Sequence, residues 1–195
     1  WVCATENALI QRNEVAGTRL FENDGTAFDT DWGTAGTTIF QYNYTHGNQG
    51  GFWLDCTGLN RNRECRGTTL RYNISVDDSR CLIQDDQGIR AELYGNLFLH
   101  TGKEGPAVCM HRAGESHMFT RNVFAFDAPP SGGWQASGFS GNWYGTLEDR
   151  PETDPEAMDG TPFSLEGLRE RLEQSPQERH ALGDMLAKAA AGAAE

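Results

Sequence analysis

Asp29, Asp31, Asp55 and Asp85 stand in the strand-like words FDTDW, GFWLDC and CLIQDD, and paired carboxylates are what cleavage of a glycosidic bond requires. One protonated carboxyl gives its proton to the leaving oxygen, and a second, ionised, acts as nucleophile or as base on a water. Two carboxylates held close raise one pKa of the pair, which supplies the acid. Alternate side chains of a strand share a face, so Asp29 and Asp31 are expected on one face about 7 Å apart. Alignment of the strands places Asp31, Asp55 and Asp85 in one column, with neighbours about 5 Å apart. Asp29, Asp31 and Asp55 are therefore the catalytic candidates. The same column has a second reading, a polar face holding Ca²⁺ through oxygen ligands. No other metal or cofactor is expected.

Around these carboxylates the candidate substrate-binding residues are Trp53, Asp85, His46, His111 and Trp134. A flat aromatic ring beside carboxylates stacks on the apolar face of a sugar while the acids bond its hydroxyls. Trp53, between the aspartates on the expected outward face, carries that role, with Trp134 further along. Trp32 and Trp143 read as core or bend residues. His46 follows its strand at a corner and His111 continues the aspartate column; each is an acid/base partner or a solvated corner histidine. GxSxG, P-loop, HExxH and dinucleotide signatures are absent. Arg71, Arg80, Arg90 and Arg112 are the arginines available to a lyase that must neutralise a substrate carboxylate.

The element that must position these residues is a repeat. An apolar residue stands three places before an asparagine at Ile10/Asn13, Phe40/Asn43, Leu70/Asn73, Leu93/Asn96, Phe119/Asn122 and Phe139/Asn142. The surrounding words FQYNYTH, LRYNISV, LYGNLFL, FTRNVFA and FSGNWYG are aromatic and β-branched, which is strand composition. A loose period of this size signals a solenoid of stacked units. A side-chain amide carries donors and an acceptor, so stacked asparagines can bond up and down the coil, and asparagine tolerates the left-handed conformation of a tight bend. The sequons Asn43-Tyr44-Thr45 and Asn73-Ile74-Ser75 are expected to face inward, out of reach of glycosylation. A second strand follows each of the first four asparagines, at 26 to 32, 50 to 56, 80 to 86 and 106 to 112. The expected fold is all-β, a right-handed parallel β-helix with an asparagine ladder and a C-terminal α-helical cap or tail.

The 195 residues divide into a β-helix over 1 to 146, an acidic, proline-rich linker over 147 to 163 and a helical segment over 164 to 195. In the last, Ser175-Pro176-Gln177-Glu178 is a helix-start signature, and Leu182, Met185 and Leu186 form an apolar stripe expected to cap the open last coil. The chain opens on strand-like residues, so earlier coils are expected before Trp1. The net charge of −12 leaves no basic stripe for nucleic acid or an anionic membrane, and no apolar run is long enough to span a bilayer. Cys3, Cys56, Cys65, Cys81 and Cys109 are odd in number and lack a CxxC pair. Cys56 and Cys65 flank a loop that a disulfide would close in an oxidising compartment; Cys81 and Cys109 read as small core residues.

The words FDTDWGTAGTTIFQYNYTHGNQGGFWLDC and TTLRYNISVDD make residues 3 to 145 resemble the secreted right-handed parallel β-helix repeat proteins of the pectate-lyase-like superfamily. That superfamily holds lyases, hydrolases, epimerases and non-catalytic glycan-binding modules, so the resemblance implies the fold, an extracellular or periplasmic location and a polysaccharide or oligosaccharide partner, without choosing the activity. Asp29-Thr30-Asp31 and Asp85-Asp86 are similar to two polygalacturonase motifs, but His46-Gly47 is misplaced for the third and no Arg-x-Lys is present. The expected function is a glycoside hydrolase, less a polysaccharide lyase, on a neutral or weakly charged glycan. The alternatives are a carbohydrate-binding module and a ligand-free structural repeat.

Overall fold

In the computed structural model the described residues are 1–57, 65–111, 117–135, 138–145, 150–159 and the helical residues 168, 170–172, 177, 179, 181–184 and 187–188. The chain is a parallel β-solenoid of about four turns in which each complete coil supplies three short strands to three sheets. The first sheet is built of β1 (Leu9–Gln11), β4 (Gly36–Gln41), β7 (Cys65–Arg71), β10 (Ala91–Tyr94), β13 (His117–Thr120) and β15 (Gly138–Ser140). The second holds β2 (Glu14–Ala16), β5 (Tyr44–His46), β8 (Ile74–Val76), β11 (Leu97–His100), β14 (Val123–Phe126), β16 (Trp143–Tyr144) and β17 (Met158–Asp159). The third holds β3 (Thr26–Thr30), β6 (Gly51–Asp55), β9 (Cys81–Asp85) and β12 (Ala107–His111). The asparagine words are thus not single strands. Each breaks at its asparagine into a strand of the first sheet and a strand of the second.

The apolar residues three places before the asparagines stack in one column of the first sheet. Register pairs Ile10 with Phe40, Phe40 with Leu70, Leu70 with Leu93, Leu93 with Phe119, and Phe119 with Phe139. From Phe40 onward this column is buried. The second sheet adds Phe98, Phe124 and Tyr144, whose rings stack at 5.5 and 5.4 Å between centroids. Such stacked aromatics are the main apolar content of a narrow solenoid.

At the corner between these sheets the asparagines form the ladder. The Asn43 side chain donates to Ile10 O on the coil before and to Asn73 Oδ1 on the coil after, both at 3.0 Å. Its own Oδ1 accepts from the backbone and side chain of Asn13. The same pattern runs through Asn73, Asn96, Asn122 and Asn142. Asn43 and Asn73 are buried, so both sequons face the interior. The left-handed residue of each corner is the one before the asparagine: Arg12, Tyr42, Tyr72, Gly95, Arg121 and Gly141 have φ between 53° and 61°. The asparagine therefore serves through its amide, and its neighbour makes the bend.

The ladder ends on Asp154, inside the acidic stretch read as linker. Asp154 Oδ2 accepts from Asn142 N, Asn142 Nδ2 and the Tyr144 hydroxyl at 3.1, 2.9 and 2.9 Å. A terminal rung needs only acceptors, which a carboxylate supplies. Beyond it β17 pairs with β16 and extends the second sheet. Of the helical segment, the described leucines pack on the second sheet, with Trp143 of the last coil partly buried against them. Leu168, Leu172 and Leu182 pack on Ile74, Leu97, Leu99, Val123 and Ala125 along the flank of the second sheet, where an apolar strand face demands cover. Met185 and Leu186 of the expected stripe lie outside the described residues.

Candidate active site

The third sheet presents two faces with different chemistry. Its inward columns are Phe28, Trp53, Ile83 and Cys109, then Thr30, Asp55 and Asp85. Asp29 pairs in register with Leu54, and Leu54 with Gln84, which is the alternate, outward column. Asp55 therefore stands beside Thr30 and not beside Asp31. The expected column of Asp31, Asp55 and Asp85 is wrong by one residue at its first member, and a one-residue slip moves a side chain to the other face. Asp55 and Asp85 do stack as expected, and His111 continues their register; the His111 side chain lies outside the described residues.

On the outer side Asp29 is half-buried and its Oδ1 is enclosed without a hydrogen-bond partner. Burial first and the charge of Asp31 second push its pKa up to about 7, with the N-terminal ammonium opposing them. Asp31 holds its position through Oδ1, which accepts from Trp32 N at 2.7 Å. Trp32 is 58% exposed. It stands on the turn that follows β3, as one of its two expected places, and not in the core, and it sets an aromatic surface next in chain to the Asp29/Asp31 pair. Cys56 borders the same site: burial, then Asp29, Asp86 and Asp31, raise its thiol pKa far above the ordinary range. Cys56 is a free thiol, so it is not closed on Cys65. Among the arginines considered for a lyase, Arg80 reaches this face, bonded to Gln84 Oε1 at 3.1 Å. Arg71 serves Gln41 and Tyr94 on the first sheet, Arg90 pairs with Glu92, and Arg112 lies outside the described residues.

The inner side holds Asp55 and Asp85 at 0% and 2% exposure. Asp55 Oδ1 accepts from Thr57 N and Thr57 Oγ1 at 3.1 and 2.6 Å. Burial raises its pKa to about 6, while the Thr57 bonds and His117 pull the other way. His117, at the start of β13, is fully buried with Nε2 3.1 Å from Asp85 Oδ2. The sequence reading missed it. A signal was available, since His117 lies two places before Phe119 and therefore on the inward face of its strand, in register with Ala91. A histidine at such a site must find a partner.

The remaining candidates are dispersed. Trp53 is fully buried, donates its indole N–H to Thr30 Oγ1 at 2.9 Å and meets His117 edge-on. It shares its face with Asp55, as read, but that face is the interior, so it offers no platform to a sugar. Trp134 stacks on Phe126 at 6.0 Å and meets Phe124 at 5.0 Å, closing the aromatic interior of the last coils. His46 bonds Glu14 at 3.0 Å and stacks on Tyr44 on the second sheet. The structure thus keeps Asp29 and Asp31 together on the outside and separates them from Asp55 and Asp85.

No protein-family model matches this sequence. The chain is similar to the lacto-N-biosidase of Bifidobacterium longum subsp. longum, with 25% identity over 177 residues that cover 84% of this chain. It spans only 10% of that protein's length. No described helix is long and apolar enough to cross a membrane.

Proposed function

We propose that this solenoid engages a neutral or weakly charged glycan at the outer side of β3 and its following turn, beside Trp32, and hydrolyses it with Asp29 and Asp31. The observation that carries this reading is the outward carboxylate pair placed next to the exposed Trp32. Asp29, protonated up to about neutral pH, is the general acid. Asp31, half-buried and braced by the Trp32 amide, is the base or nucleophile. Alternate positions along extended chain lie about 6.6 Å apart, a separation that leaves room for a water between the carboxyls and favours inversion. Asp55 leaves the catalytic set because no substrate reaches it. The likeness to lacto-N-biosidase supports an oligosaccharide substrate, and we place the protein with the secreted pectate-lyase-like β-helix proteins, outside the cytoplasm.

Hydrolysis of a panel of neutral oligosaccharides, followed with Asp29→Asn and Asp31→Asn, tests the proposal. Each substitution is expected to lower turnover at least about 100-fold while leaving the circular dichroism spectrum unchanged. Turnover that survives the double replacement would end it. The exposed Trp32 also favours a second reading, a module that holds glycan without cutting it. That reading predicts retardation in glycan-containing gels, lost in Trp32→Ala, with no product formed by the unaltered chain.

A further inference from the structure

The inner cluster has a composition that neither glycan reading requires. One carboxylate oxygen of Asp85, the Cys109 thiol sulfur and a ring nitrogen of His117 lie within 4.8 Å of one another, all buried. Asp55 stands beside Asp85 on the neighbouring coil. Its Oδ1 is taken by Thr57, but its Oδ2 is enclosed with no hydrogen-bond partner. The two carboxylates converge, because a methyl group on Gly88 would meet Asp55 Oδ2 at 2.1 Å and Asp85 Oδ1 at 3.0 Å. Only glycine fits there. A buried carboxylate oxygen without a donor is costly unless a cation meets it.

We propose that Asp85, Cys109 and His117 bind a divalent transition-metal ion of the zinc type inside the solenoid, with the unpartnered Asp55 Oδ2 of the neighbouring coil adding negative charge beyond the three ligands. Thiolate and imidazole select such an ion over Ca²⁺ or Mg²⁺, which take oxygen ligands. Two nitrogen or oxygen ligands bound tetrahedrally at about 2.0–2.1 Å from zinc are separated by about 3.3 Å. The 3.1 Å between His117 Nε2 and Asp85 Oδ2 is already close to that figure, and the sulfur lies within 4.8 Å of both. On binding, the Cys109 S–H bond breaks, its proton passes to solvent and the sulfur electron pair goes to the metal. No electron is transferred. One carboxylate, one thiolate and one neutral imidazole then hold a 2+ ion. The ligands come from β9, β12 and β13, so the ion staples consecutive coils across the corner between the third and first sheets. Because the cluster is closed to solvent, the metal enters as the chain folds.

The test is to unfold the full chain with a chelator and refold it without metal, or with Zn²⁺, Co²⁺ or Ca²⁺ alone. Expected results are one zinc per chain retained through desalting, a raised unfolding temperature, and cobalt absorption with a thiolate charge-transfer band. Cys109→Ser is expected to lose that band and to bind zinc about 100-fold more weakly; Cys3→Ser, altering the partly exposed thiol, should change nothing. Three results would each overturn the proposal: a chain that folds with Zn²⁺ present yet retains none, a cobalt spectrum without the thiolate band, or retention of Ca²⁺ in place of Zn²⁺. Should Cys109→Ser fail to fold, metal content and the cobalt spectrum of the unaltered chain decide alone. Glycan turnover enters none of these readouts, so the site and the proposed hydrolase stand or fall separately.

Discussion

Asp29 and Asp55 lie on neighbouring strands of one sheet, one residue apart in register, and meet opposite environments. Asp29 faces outward and is half-buried; Asp55 faces inward and is wholly enclosed. Burial depth alone would give Asp55 the larger pKa shift. Yet the more deeply enclosed Asp55 is raised no further, to about 6 beside about 7 for Asp29. The reason is hydrogen bonding and charge. Asp55 receives two donors from Thr57 and sits near His117, whereas Asp29 has an unpartnered Oδ1 and Asp31 against it. Burial sets the penalty on a charge, and the polar partners decide how much of it remains. The outer carboxyl is left poised to give a proton, and the inner one is held in place.

The largest effect should come from breaking the inner side. His117→Ala removes one partner of Asp85 and is expected to cost about 3–5 kcal/mol in urea unfolding, the scale for breaking a buried pair. The same experiment on Asp31→Asn should stay within about 0.5 kcal/mol. Equal losses at both sites would erase the distinction between them. On the outer side, Asp29→Asn should lower glycan turnover about 100- to 10,000-fold, the usual contribution of a positioned acid, without altering the circular dichroism spectrum. A matching loss of structure would mean that Asp29 is a packing residue.

A smaller contrast concerns the tryptophans. Trp32→Ala should weaken glycan binding by about 1 kcal/mol, the scale of an aromatic contact, and leave stability intact. Trp53→Phe should do the reverse, lowering stability through the lost indole bond to Thr30 by about 1 kcal/mol while glycan affinity is retained. Titration calorimetry and urea curves on both variants separate the two roles. The pH dependence is finer still. The folded pKa of Asp29 lies above its ordinary value of 3.8, so the folded chain keeps a proton that the unfolded chain releases. Its contribution is absent below about pH 4, becomes unfavourable as pH rises, and is complete above about pH 7. After discounting for partial exposure, Asp29→Asn should recover ~1 kcal/mol at pH 8 relative to pH 4. A gain of equal size at both pH values would contradict the raised pKa.

Much of the scaffold was legible because stacking turns a sequence pattern directly into contacts. The six apolar residues before the asparagines fall in one register column, and the asparagines bond to one another along the axis. The slip at Asp31 arose where the coils differ in length. Asn13 and β3 are separated by a corner that includes the Phe21/Asp24 bridge, while Asn43 reaches β6 by a shorter path. Measuring forward from the ladder across unequal corners misplaces a strand by a residue, and in a strand that error reverses the face. Trp53 was misread for a related reason. Its neighbours on one face were identified, but a strand that is buried along both faces, as β6 is, carries no alternation to say which side is inside. Asp154 was hidden in a stretch whose acidic composition reads as solvated, because the vacancy it fills exists only once the ladder is assembled.

By itself the sequence determined that the chain coils in parallel strands about an asparagine ladder. Repetition enforces this, since each unit completes the hydrogen bonds and buried face of the next. It also marked Asp29 and Asp31 as a pair, because two residues apart on one extended segment share a face whatever surrounds them. Only the tertiary structure decided which aspartates meet water and which meet His117 and Cys109. That outcome depends on corner lengths and on how neighbouring coils register, and a displacement of one residue, costing the backbone little, exchanges solvent for the interior.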